Sequence, residues 1–186
     1  MKTVKNNQCL KLHEILRRGK VFDFKSGDKF KDYLETFKDF PRNGIYLMFE
    51  KGEIGHGGKR IVRIGINTEG TLINRLNGHI NGAMRSSVFR RHLFRILGSE
   101  KAVTKYIKNR VSFCVISCPD DLHARRKLEE NIIGMVSNCN DCRPLKGWLG
   151  LKSVSKKIRE SGLWNVQHVF GDSRFIETDL PINNKV

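Results

Sequence analysis

At 186 residues, 39% of them hydrophobic, the chain has the length and apolar content for one domain, or one domain with an extension. Its 35 Lys and Arg against 19 Asp and Glu give a net charge of +16, which suits a polyanionic partner because each cation placed on a phosphate releases a condensed counterion. No apolar run is long enough to span a bilayer, and Met1-Lys2-Thr3-Val4-Lys5-Asn6-Asn7 lacks the apolar stretch of a secretory signal, so a soluble cytoplasmic protein with no membrane partner is expected.

Residues 1–40 read as an N-terminal extension whose Phe22, Phe24, Phe30, Tyr33, Leu34 and Phe37 carry enough aromatic weight to pack on the core. Asp39-Phe40-Pro41-Arg42-Asn43 is a turn into the main domain, residues 41–137, and residues 138–186 form a C-terminal extension. Gly44-Ile45-Tyr46-Leu47-Met48-Phe49 and Arg60-Ile61-Val62-Arg63-Ile64-Gly65-Ile66 read as strands joined through a polar, Gly-rich connection from Lys51 to Lys59. Period-two alternation puts Ile45, Leu47 and Phe49 on one face and Val62, Ile64 and Ile66 on one face. If those faces share the core, Tyr46 and Arg63 point together to the other side.

A helix is expected from about Thr71 to Asn81, with Thr68 or Thr71 as its cap and Arg75 and His79 one turn apart at the margin of its apolar stripe. Further helices are expected around Ser87 to Leu97 and near Glu100 to Lys108, then a strand from Val111 to Ser117. Asp120 or Asp121 caps a last helix running to about Val136. On its wheel Glu129 falls between Ile132 and Ile133, inside or beside the apolar stripe, whereas Glu130 points away. A carboxylate there is costly unless it is paired or binds a metal. The expected fold is α/β: a small three-stranded, mainly antiparallel sheet flanked by helices, with helical N- and C-terminal additions.

Five cysteines, an odd number without a signal peptide, argue against a disulfide framework. Cys139 and Cys142 form a C-x-x-C pair, and a zinc site that also uses Cys114 and Cys118 is one reading. Against it, Cys114 falls in a strand, where a thiol commonly acts as a small buried hydrophobe.

The order of these elements resembles the GIY-YIG endonuclease family. Gly44-Ile45-Tyr46 is similar to the first strand motif and Arg63-Ile64-Gly65 to the second, with Arg63 in place of its tyrosine. Arg75 stands where the family carries an essential arginine, His79 matches a histidine of several members, and Glu129 matches the metal-binding glutamate. The resemblance covers about residues 44–137. Ser87-Val88-Phe89-Arg90-Arg91-His92-Leu93, Trp148-Leu149-Gly150 and Ser161-Gly162-Leu163-Trp164-Asn165 with His168-Val169 look like stretches of stand-alone members. The family also has an asparagine after the glutamate, for which Asn138, Asn140 and Asn165 are candidates.

The resemblance implies a metal-dependent endonuclease that hydrolyses DNA phosphodiester bonds, with Glu129 holding Mg²⁺ or Mn²⁺. Tyr46 would orient or deprotonate the attacking water, and a neighbouring Arg63 would favour the phenolate. Arg75 would bind the scissile phosphate through its planar fork, and His79 would contact phosphate or assist proton transfer. Each residue also has a plainer fate: Glu129 paired with Arg125 or Arg126, Tyr46 packing a half-buried face, Arg75 and His79 at a helix surface. Between Arg85 and Arg110 eight cations face one acid, Glu100; Arg85, Arg90, Arg91, Arg95, Lys101 and Lys105 are the expected DNA-tracking surface. One active site cuts one strand, so a double-strand break calls for a homodimer or two successive events. The alternatives are a catalytically inactive nucleic-acid-binding module on the same fold and a zinc-stabilised interaction protein.

Overall fold

The computed structural model describes residues 2–24, 29–118 and 120–171. The end of the C-terminal extension, residues 172–186, lies outside the described residues. In chain order the elements are α1 (Lys2–Arg18), β1 (Phe22–Asp23), α2 (Phe30–Glu35), β2 (Gly44–Gly55), β3 (Gly58–Ile66), α3 (Leu72–Ile80), α4 (Val88–Leu97), α5 (Glu100–Arg110), β4 (Val111–Ser117), α6 (Leu122–Asn138) and α7 (Lys156–Ser161). The strands form one antiparallel sheet in the order β1-β4-β2-β3.

The sheet therefore has four strands, not three. The extra one is two residues long, too short to show alternation, and it pairs Phe22 with Phe113 and Asp23 with Ser112 on the otherwise open edge of β4. Phe22, Phe24 and Phe30 gather round Phe113 with ring centroids 4.8–6.0 Å apart. At about 2–3 kcal/mol for each buried ring, this burial explains why the chain before β2 adheres to the sheet.

The hairpin is also longer than its hydrophobic run. The strands continue through the polar connection to a turn at His56 and Gly57, both at positive φ (50° and 71°). Glu53 and Arg60, near the tip, are buried against each other, with Arg60 Nε donating to Glu53 Oε2 over 2.7 Å. Arg60 lies over the Trp148 ring, 4.8 Å from its centroid. Polar residues thus continue a strand here because the C-terminal segment covers them.

Alternation on β3 fails at one position. Tyr46 pairs with Gly65 and Met48 with Arg63, but Phe49 pairs with Ile61, and Val62 is passed over. This is a β-bulge, which inserts one residue and flips the face of what precedes it. Ile61, Ile64 and Ile66 pack with Ile45, Leu47, Phe49 and the apolar sides of α1 and α6. Val62 instead joins Tyr46 and Met48 on the opposite face, under α3, α4 and α5. The expected grouping of Val62 with Ile64 is thereby corrected. Both faces are buried, so the sheet is the middle of three layers.

The helix ends carry the signals that position the site. Thr71 Oγ1 accepts from Asn74 N at 3.2 Å, Ser87 Oγ from Arg90 N at 3.3 Å, and Asp121 Oδ1 from His123 N at 2.9 Å. Gly98 ends α4 in the left-handed region at φ 77°, where a side chain is strained. Beyond α7 the chain runs along the outer edge of β3: Trp164 N donates to Val62 O (2.7 Å), and the Asn165 amide both accepts from Ile64 N (3.0 Å) and donates to Ile64 O (2.9 Å). An edge that would invite another strand is thus covered by a side chain and a loop. Among the described residues, no helix is long and apolar enough to cross a membrane.

Candidate active site

The site assembles around Gly65. Tyr46 is directly across from it on β2, and the phenol lies over its Cα. Any Cβ at position 65 would stand 2.2 Å from Tyr46 Oη, so the motif requires glycine for close approach rather than for backbone freedom. The phenol oxygen is 2.8 Å from His79 Nε2, and His79 Nδ1 is 3.0 Å from Ser87 Oγ. Tyr46 and His79 are both fully buried. Burial, together with Arg63, Arg75 and Arg90, holds the His79 imidazole well below its usual pKa, and therefore neutral.

His79, expected to contact phosphate or assist proton transfer, is buried here, with its two nitrogens engaged by Tyr46 and Ser87. Arg90, expected on the DNA-tracking surface, is buried instead. It is 3% exposed, and its guanidinium donates to His79 O (3.1 Å) and Ile80 O (2.9 Å), satisfying the last carbonyls of α3. The spacing of cations alone could not separate it from its exposed neighbours. Arg85, Arg91, Arg95, Lys101 and Lys105 are exposed.

Arg63 shares the Tyr46 face of the sheet, as expected. Its Nη1 donates to Trp164 O at 3.0 Å, and its guanidinium carbon is 5.5 Å from the Phe89 ring centroid. Arg75, on α3, is half-buried, with an Nε that has no hydrogen-bond partner among the described residues. Glu129 enters from α6, also half-buried, and burial pushes its carboxyl up to about 7 against the opposing pull of Arg63 and Arg75. Arg125 Nη1 donates to Asp120 O (2.8 Å), Arg126 adds a weaker downward pull on the Glu129 carboxyl, and Glu130 meets Lys127 and His168. The arrangement brings Tyr46, His79, Arg63, Arg75 and Glu129 into one electrostatically linked group. Of the asparagine candidates, Asn165 braces β3 beside Gly65, Asn138 donates to Gly134 O and Gly171 O, and Asn140 is exposed.

The cysteines do not group as C114/C118 with C139/C142. Cys114 is a buried strand residue in the core, and Cys118 Sγ faces Ile116 O. Cys139 and Cys142 lie instead with Cys9 and His13 of α1 and His56 of the hairpin turn.

The site thus draws Tyr46 from β2, Arg63 from β3, Arg75 and His79 from α3 and Glu129 from α6. The chain belongs to the GIY-YIG domain family, whose model matches residues 12–99 and 94–179. Neither the curated proteins nor the solved structures contain a match to it. The family is generally one of nucleases.

Proposed function

We propose that the chain is a metal-dependent endonuclease acting on DNA phosphodiester bonds. The observation that carries this reading is Glu129, a half-buried carboxylate in the field of Arg63 and Arg75. The half-buried Arg75 guanidinium suits a substrate phosphate, and a carboxylate whose proton is held to about 7 suits exchange of that proton for a cation. Mg²⁺ or Mn²⁺ fits Glu129, because a hard ion that keeps most of its waters needs few protein oxygens. Once bound there, it would supply charge neutralisation at phosphate and a more acidic bound water.

The remaining roles belong to the chain. Arg75, whose Nε has no hydrogen-bond partner among the described residues, binds the scissile phosphate and stabilises the charge that develops on it. Tyr46 orients the attacking water or takes its proton. His79 is a positioning residue: Ser87 Oγ has lone pairs for both Arg90 N–H and His79 Nδ1–H, which leaves His79 Nε2 to accept the Tyr46 hydroxyl. Arg63, tied to Trp164 O, holds positive charge between Glu129 and His79. The exposed Arg85, Arg91, Arg95, Lys101 and Lys105 track the phosphate backbone.

One observation favours a second reading, a catalytically inactive DNA-binding module: Tyr46 is fully buried, with its oxygen engaged by His79. Incubation of wild-type protein with supercoiled plasmid, with and without Mg²⁺ or Mn²⁺, separates the two. Metal-dependent nicking supports the enzyme; salt-sensitive binding without cleavage of plasmid, single-stranded or branched DNA supports the module.

A further inference from the structure

On the α1 side of the sheet, three segments distant in sequence bring soft metal ligands together. Cys9 and His13 stand one turn apart on α1 and so point from the same face. His56 comes from the hairpin turn, Cys139 is the C-cap of α6, and Cys142 follows it by three residues. The donor atoms of Cys9, His13, His56 and Cys142 all lie within 4.8 Å of one another. Cys9 Sγ is 3.6 Å from Cys142 Sγ, and His13 Nε2 is 3.3 Å from Cys142 Sγ. Cys139 Sγ is 3.1 Å from His56 Nε2.

These spacings have a specific meaning. A disulfide would place its sulfurs about 2.05 Å apart, and two thiolates on one tetrahedral zinc at about 2.3 Å each would stand about 3.8 Å apart. The observed 3.6 Å matches the second case. His56 also has an outer partner, with Nδ1 3.6 Å from Asp141 Oδ2. With His56 bound through Nε2, this carboxylate would stand behind the other ring nitrogen, the usual support of a metal-bound histidine. Cys9, His13, Cys139 and Cys142 are each 2% exposed or less, leaving no open face for a substrate.

We propose that Cys9, His13 and Cys142, completed by one donor from the adjacent His56–Cys139 pair, bind one structural Zn²⁺. Soft thiolate and imidazole donors select zinc over the hard ion suited to Glu129, so the two metals occupy chemically distinct sites. Binding releases the thiol protons to solvent and involves no redox step. The ion would pin α1 and the hairpin tip to the end of α6, the helix that presents Glu129. Such a zinc site would form whether or not the chain cuts DNA.

The test is metal content. Protein made in zinc-supplemented medium is expected to hold about one zinc per chain, and a Cys9→Ser/Cys142→Ser variant less than about a tenth of that. Cys114→Ser and Cys118→Ser, outside the cluster, are expected to keep their zinc. Because the double variant can fail to fold, Co²⁺ titration of metal-stripped wild type provides a second reading: a thiolate-to-cobalt charge-transfer band saturating at one equivalent. Zinc-free wild type that gives no such band, or a double variant that retains full zinc, would overturn the proposal.

Discussion

The hydroxyl of Tyr46 occupies the space where a side chain at Gly65 would begin, 2.2 Å from an ideal Cβ. The two residues are cross-strand partners, so the glycine is what lets the phenol lie flat across β3 and reach His79. Gly65→Ala is therefore expected to move the ring off His79 and lower nicking about 10²-fold, while DNA affinity changes by less than about threefold. Nicking rate and equilibrium binding measured on the same preparation check this. A variant that nicks at the wild-type rate would show that the close approach is not needed.

Glu129 links the site to pH. Its folded carboxyl is raised from 4.5 to about 7, so the folded state holds the proton longer than the unfolded chain does. The stability this confers is fully present below the unfolded value and is lost as pH rises through about 7. Without added divalent cations, Glu129→Gln is expected to be more stable than wild type at pH 8, by about 1–3 kcal/mol, and the difference to shrink toward pH 5. Denaturant melts at the two pH values measure it. A variant no more stable at pH 8 than wild type would contradict the raised value.

Arg90 and Arg95 lie one helical turn or so apart on α4 yet are expected to fail in different ways. Arg90→Ala removes the donor that satisfies the end of α3 and leaves buried carbonyls unpaired, costing about 2–4 kcal/mol in thermal or denaturant melts. Arg95→Ala should leave the melt within about 0.5 kcal/mol of wild type, weaken DNA binding regardless of sequence and reduce the salt slope by about one. Melts that show the two variants equally stable would remove Arg90 from its structural role.

Much of the fold was legible because local chemistry and the final contacts agree. Thr71, Ser87 and Asp121 cap the helices they precede, and β4 spans Val111–Ser117 as its hydrophobic run predicts. What periodicity could not reveal depends on tertiary context. The bulge at Val62 breaks a two-residue repeat with no turn residue to mark it, and β1 exists only because β4 has an open edge. Glu53 looks like part of a solvated connection and Arg60 like an exposed strand start until the segment carrying Leu145, Trp148 and Gly162 covers them. At the candidate site, the helical wheel singled out Glu129 and the family resemblance pointed to Tyr46, Arg75 and His79, whereas the bracing by Trp164 and Asn165 comes from residues about a hundred positions away, with no pattern linking them. Cys9 and His13 carry helical i, i+4 spacing and were readable in principle as a ligand pair, but only the packing of α1 near α6 joins them to Cys142.

The most direct test of the account is to measure plasmid nicking and DNA binding side by side for wild type and Glu129→Ala in Mg²⁺. The prediction is that the variant loses nicking by at least about 10³-fold while its DNA affinity stays within about threefold of wild type. Nicking that persists in Glu129→Ala, or wild-type protein that binds DNA and never cuts it, would contradict the claim that this carboxylate is the metal-holding group of a nuclease.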